Sequence, residues 1–321
     1  MKTFFVALGA VATLLLIAIP GYLLKKKKMV GEESMPALSK ILLYVCQPCL
    51  SIYTFKSAAF SMEKLGSIGI FAALALLVQI LMLGFAYLIL RKKMENPLYR
   101  IMTIACALGN CAFFGIPVIE ALFPAEAPEL LIYTSVYAII MNIIGWTLGA
   151  AIISQNFKYI SLRKILLNPA TISLFIAIPF FVFKIDTAEL PTELASFITS
   201  LDSMVALIGR MATPISMLIM GMRLSTMDFK QMFTTKQIYF SLAMKQLLMP
   251  LIAFAILVFL PVDVGMKSAL YIICCCPVAS VVLNYSEILG EGQKEAAASV
   301  LLSTILSILT LPVMTWLLPL L

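Results

Sequence analysis

The chain is a succession of apolar runs, each about as long as a bilayer is thick. A helix rises 1.5 Å per residue, so roughly 20 apolar residues cross ~30 Å of hydrocarbon. In lipid every backbone N–H and C=O needs an internal partner, so runs of this kind fold as helices. Ten can be read, at 4–24, 36–57, 66–90, 100–123, 129–153, 168–184, 199–222, 237–260, 266–289 and 295–318. The expected fold class is an all-α membrane protein of ten transmembrane helices. Charged residues make up only 12% of the 321, against about 25% in a soluble domain. The sixth run is short, with Asn168-Pro169 as its N-cap and first helical residue, and Asn96-Pro97 plays the same part before the fourth.

The first run resembles a signal peptide, but such a peptide carries its positive charge in front. Here Lys2 precedes the run and Lys25 to Lys28 follow it. Positive charge stays inside, so the N-terminus is expected outside. The cytoplasmic connections then carry Lys25 to Lys28, Lys40, Arg91, Lys92, Lys93, Arg100, Lys158, Arg163, Lys164, Arg223, Lys230, Lys236 and Lys294, which is 16 of the 23 basic residues. The outer side holds five, Lys2, Lys56, Lys64, Lys184 and Lys267, and Arg210 and Lys245 lie within spans. This asymmetry requires an even number of spans with both termini outside. It also assigns the net charge of +7 to membrane orientation rather than to nucleic acid.

The seven cysteines, Cys46, Cys49, Cys106, Cys111 and Cys274 to Cys276, all fall inside apolar runs. An odd number so placed is no disulfide framework. The chain has no histidine, and neither Cys46-Gln-Pro-Cys49 nor the triple cysteine has a second cluster at zinc spacing. They read as small packing residues, and no metal or other cofactor is expected. No Ser/His/Asp set is possible, and no Gly-x4-Gly-Lys-Ser/Thr loop for a nucleotide occurs. An enzyme is not expected.

The fourth and ninth spans repeat one another. The fourth reads Asn110-Cys-Ala-Phe-Phe-Gly-Ile-Pro117-Val-Ile-Glu120, and the ninth reads Pro277-Val-Ala-Ser-Val-Val-Leu-Asn284-Tyr-Ser-Glu287. Aligning the glutamates sets Asn110 on Pro277 and Pro117 on Asn284. Each half has one Asn and one Pro two helical turns apart, on one face, in exchanged order. A proline inside a helix removes one hydrogen bond and frees a carbonyl four residues back, here those of Phe113 and Ile273. Pro117 and Pro277 are therefore expected to break their helices. Pro48 in the second span and Pro214 in the seventh form a second pair. Five spans per half is an odd number, so the halves 1–160 and 161–321 enter the membrane from opposite sides. Paired broken helices in an inverted repeat point to a midplane binding site.

Asn110 and Asn284 are the first candidate substrate ligands, since an amide can donate to a carboxylate. Gly115 lets another backbone approach closely. Arg210 and Lys245 each lie at least eight residues inside a span, ~12 Å deep or more at 1.5 Å per residue, where charge marks a pathway or a paired interior. They suit an anionic substrate, or countercharges for Glu120 and Glu287; both glutamates are also candidates for ion coupling, Glu287 for a proton. Asn142, in the fifth span, is read either as cavity lining or as a packing hydrogen bond. Ser303, Thr304, Ser307 and Thr310 read as a stripe for close helix packing.

Gly109-Asn110-Cys-Ala-Phe-Phe-Gly115-Ile-Pro117 resembles the fourth-helix motif of the auxin efflux carrier family, which includes plant PIN exporters and bacterial malate and malonate permeases. Pro277-Val-Ala, the run Ser303 to Pro312, Asn168-Pro169 and Pro214-Ile-Ser-Met-Leu-Ile-Met-Gly221 are similar to other motifs of that family, in the same order. The ninth helix departs from the plant pattern after Pro277, and the plants' long cytoplasmic loop is absent. The resemblance implies a scaffold of helices 1, 2, 6 and 7, often dimeric, and a mobile unit of helices 3–5 and 8–10. It implies that helices four and nine cross at their breaks and that Asn110 binds a substrate carboxylate. The function expected is a secondary carrier of a small organic anion across the cell membrane. Its partners would be that anion, membrane lipid and a second copy of the chain. The alternatives are a sodium-coupled bile-acid-type symporter or, from another class, a channel. The coupling ion, proton or sodium, stays open.

Overall fold

The computed structural model describes residues 1–57, 61–160, 162–183, 190–227 and 236–321. Lys184 and Lys230 of the charge count lie outside the described residues. These residues fold as helices with no strand among them: α1 (Lys2–Lys26), α2 (Ser34–Ser57), α3 (Met62–Lys93), α4 (Pro97–Ala107), α5 (Cys111–Leu122), α6 (Ala127–Ser154), α7 (Pro169–Val182), α8 (Thr192–Thr226), α9 (Ile238–Val258), α10 (Val264–Cys275), α11 (Val281–Leu289) and α12 (Gln293–Leu320). Seven of them, α1, α2, α3, α6, α8, α9 and α12, are long and apolar enough to cross a membrane alone. Where the other three spans were expected, the helices are shorter. The fourth is divided into α4 and α5, the ninth into α10 and α11, and the sixth is the 14-residue α7. At 1.5 Å per residue α7 is about 21 Å long, too short to cross ~30 Å unaided.

Helix starts follow local chemistry. Asn96 Oδ1 accepts from Leu98 N at 2.9 Å, and Asn168 Oδ1 accepts from Ala170 N at 2.9 Å, both with proline next in the chain. Asp263 caps α10 through Met266 N at 3.0 Å. In this way side-chain oxygens satisfy N–H groups that the first helical turn leaves without partners.

Prolines inside spans are accommodated by widened turns. Pro48, Pro117 and Pro250 each stand two residues after a π-turn, at Leu42–Cys46, Cys111–Gly115 and Met244–Leu248. A proline clashes with the carbonyl one ordinary turn back, and the wider turn relieves that conflict. Pro117 therefore does not break its helix, contrary to the sequence expectation. It sits in the first ordinary turn after the π-turn, where a missing N–H costs least.

Helix α1 lies against the second half of α8 almost backbone to backbone. A Cβ added to Gly21 would come within 2.1 Å of the Leu218 carbonyl oxygen, and one on Gly221 within 1.9 Å of that of Ala18. Gly209 meets the backbone of α2 at Leu50 N in the same manner, at 2.7 Å. α2 also packs on α7. The most buried segments lie elsewhere, with every residue from Arg100 to Cys111 and from Met266 to Ala279 buried. The chain ends meet at one end of the bundle, where Phe4 and Trp316 have ring centroids 5.6 Å apart and Lys267 Nζ donates to the Leu321 carbonyl at 3.2 Å.

Candidate functional site

The two interrupted helices meet at their interruptions. α4 ends at Ala107, and Leu108 turns extended with φ −96° and ψ 103°. α10 ends at Cys275, and Cys276 turns extended with φ −61° and ψ 150°. Gly109 and Val278 form an antiparallel bridge there. Asn110 N donates to the Pro277 carbonyl at 2.8 Å, and Ala279 N donates to the Leu108 carbonyl at 2.9 Å. Each break thus supplies partners that the other lost, as buried backbone in lipid requires. The Ile273 carbonyl, expected to be freed by Pro277, accepts from Cys276 N at 3.2 Å.

Three side chains from α9 and α12 brace the ninth-span side. Lys245, fully buried, donates from Nζ to the Cys274 carbonyl at 3.2 Å. Its ammonium stands at the C-terminal, electronegative end of α10, where a cation is favoured. Ser303 Oγ accepts from Val278 N at 2.9 Å, and its carbonyl accepts from Gln246 Nε2. Gly109 is needed for this closeness. A Cβ there would lie 3.0 Å from the Ile273 carbonyl oxygen and 3.1 Å from Lys245 Nζ. Ser303 therefore does more than pack, which its place in a small-residue stripe did not disclose; Gly109 was named only as part of the fourth-helix motif, and Gln246 was not singled out.

The fourth-span side is left open. Asn110 is 7% exposed, and its carboxamide makes no hydrogen bond among the described residues. Ala112 and Ile116, next along α5, line a cavity of about 20 Å³ shared with Gln47 and Ser51 of α2, Thr134 and Ser135 of α6, and Ala170 of α7. Such a volume holds about one water molecule. Leu50 and Ile116 also line a second, open cleft of about 460 Å³, where Pro117 and Glu120 of α5 face Tyr53 of α2 and Arg210 of α8. Arg210 is exposed to this cleft rather than sunk in a paired interior. Its Nη2 donates to the Tyr53 hydroxyl, and its guanidinium lies 4.9 Å from that ring's centroid.

A comparison with protein families finds a match over residues 6–160 and 155–315, to the family described as membrane transport protein. The chain belongs to this family. It is the auxin efflux carrier family that the motifs around Asn110 and Pro277 resemble. Its members are transporters, and this member is a multi-pass membrane protein. A comparison with curated proteins finds no match.

The remaining candidates of this transport protein are dispersed. Gly115 sits inside the crossing, where a Cβ would lie 3.2 Å from Cys276 Sγ. Asn284 is half-buried in α11. Asn142 is used in packing, donating to the Ala138 carbonyl at 2.8 Å and accepting from the Tyr285 hydroxyl at 3.4 Å. Tyr285 in turn sets its ring edge-on to Trp146, centroids 4.7 Å apart. Glu287 pairs with Arg223 at 3.3 Å and not with Lys245 or Arg210. Lys245 has no carboxylate partner among the described residues.

Proposed function

We propose that this chain is a secondary carrier that moves a small organic anion across the cell membrane by alternating access. Its ten spans form two inverted halves, 1–160 and 161–321, with both termini outside. The observation that carries this reading is the bonded crossing of two broken helices with Lys245 behind it. Four half-helix ends converge there. The C-terminal ends of α4 and α10 are electronegative and the N-terminal ends of α5 and α11 electropositive. Lys245 neutralises the α10 end with a tethered cation. The two N-terminal ends, with the Asn110 amide beside them, then favour an anion. α1, α2, α7 and α8 form the scaffold, and the crossing helices with α3, α6, α9 and α12 form the mobile unit.

The same ammonium weighs against the sodium-coupled alternative, because a fixed charge already occupies a place that suits a cation. Purified protein should be stabilised against heat by one class of mono- or dicarboxylates, equally in sodium and potassium buffers. Stabilisation only in sodium would replace this reading with a sodium symporter. Saturable uptake with counterflow is expected in vesicles, and non-saturating flux without counterflow would make the protein a channel.

A further inference from the structure

The glutamates that align the two halves, Glu120 and Glu287, both end up opposite an arginine of one helix. Glu287, on α11, forms an ion pair with Arg223 of α8 at 3.3 Å. Glu120, on α5, looks into the open cleft that Arg210 of α8 also lines. The two charges act on one another, yet no ion pair joins them among the described residues. Arg210 and Arg223 are 13 residues apart, or about 20 Å along a helix. Near its C-terminal end α8 is therefore latched to the crossing helices, and at its middle Arg210 stands apart from Glu120 across a cleft of about 460 Å³.

We infer that Glu287–Arg223 and Glu120–Arg210 are alternating latches, one closing each face of the carrier. The inference rests on the carrier reading. Both glutamates ride on the helices that cross, and both arginines ride on α8. Sliding one body past the other parts the first pair and brings the second together. In the state described here the Glu287 latch is shut and the Glu120 latch is open. Tyr53 holds the Arg210 guanidinium in place while its carboxylate partner is away. Both pairs lie at half-exposed positions, where an ion pair is weak. That suits a latch, which has to open in every cycle.

The test requires no knowledge of the substrate. Thr213 lines the open cleft one turn from Arg210, and Met220 is half-buried on α8 one turn before Arg223. Thr213→Cys and Met220→Cys are made separately in the full chain carrying Cys49→Ser, since Cys49 is the one cysteine that is not buried. Each is labelled with a membrane-impermeant maleimide, in right-side-out vesicles for the first and inside-out vesicles for the second. Glu287→Gln should slow labelling at Thr213→Cys and speed it at Met220→Cys, each about two- to fivefold, the shift an exposed ion pair can produce. Glu120→Gln should do the reverse. Arg223→Glu combined with Glu287→Arg should restore the starting rates, which also shows that the fold survives. The latches are overturned if Glu287→Gln leaves both rates unchanged, or moves both in one direction as local unpacking would. Rapid labelling of both positions before any latch substitution would instead overturn the carrier reading, because a carrier exposes one face at a time.

Discussion

At α10 the chain leaves the helix at a proline. At α4 it leaves at Gly109 and Asn110, with the nearest following proline seven residues on. The difference in support is larger. The segment after α10 is held by Lys245, Ser303 and the Leu108 carbonyl. The Asn110 carboxamide is held by nothing among the described residues. A break in lipid is stable when its backbone groups find partners, and here one proline serves two breaks because each segment bonds to the other. The ninth-span break is the braced element, and the fourth-span break keeps a carboxamide with no hydrogen-bond partner among the described residues. Support is thus divided unequally between the two breaks.

The sharpest way to break this contrast is to remove the brace. Lys245→Met keeps the length of the side chain and deletes its charge, leaving the Cys274 carbonyl and the end of α10 without a partner. A hydrogen bond from a charged donor is worth about 1.5–3 kcal/mol, and a loss of that size is expected in thermal unfolding in detergent. Unchanged stability would mean that the ammonium braces nothing. Gly109→Val attacks the contact itself. Its Cβ would meet the Ile273 carbonyl oxygen at 3.0 Å and Lys245 Nζ at 3.1 Å. Forcing volume into such a site costs about 1–3 kcal/mol. A fully stable Gly109→Val protein would show that the crossing is looser than drawn. Ser303→Ala removes one acceptor, that of Val278 N, and should cost about 1 kcal/mol, since hydrogen bonds within membranes are modest. Its effect should vanish in a protein already carrying Lys245→Met if the two braces act on one segment, and persist if they act separately.

The sequence carried these halves unequally. Apolar length and caps placed most helices, because Asn96-Pro97 and Asn168-Pro169 act through their own neighbours. Aligning Glu120 with Glu287 also brought Asn110 onto Pro277, the two residues that the crossing joins. Pro117 misled, because a proline within an apolar run looks the same whether the helix breaks or widens into a π-turn. The burial of Lys245 was legible from its depth, but its partner on α10 is fixed only by how three helices pack. For the same reason Ser303 resembled its neighbours in the stripe, and Arg223 resembled any other cytoplasmic arginine.

The last prediction separates stability from function at one residue. Asn110→Ala deletes a carboxamide that bonds to no described group and leaves the backbone bond from Asn110 N to Pro277 in place. Thermal stability should change by less than ~0.5 kcal/mol, as for a side chain outside any network. Stabilisation by a carboxylate, and with it saturable transport, should be lost. The outcome discriminates in both directions. A large fall in stability would make Asn110 part of the brace and erase the contrast between the two breaks. Unaltered ligand stabilisation would keep the contrast and move the site elsewhere, with Ser51, Thr134 and Arg210 among the polar groups that face the cavities between α2, α5, α6 and α8.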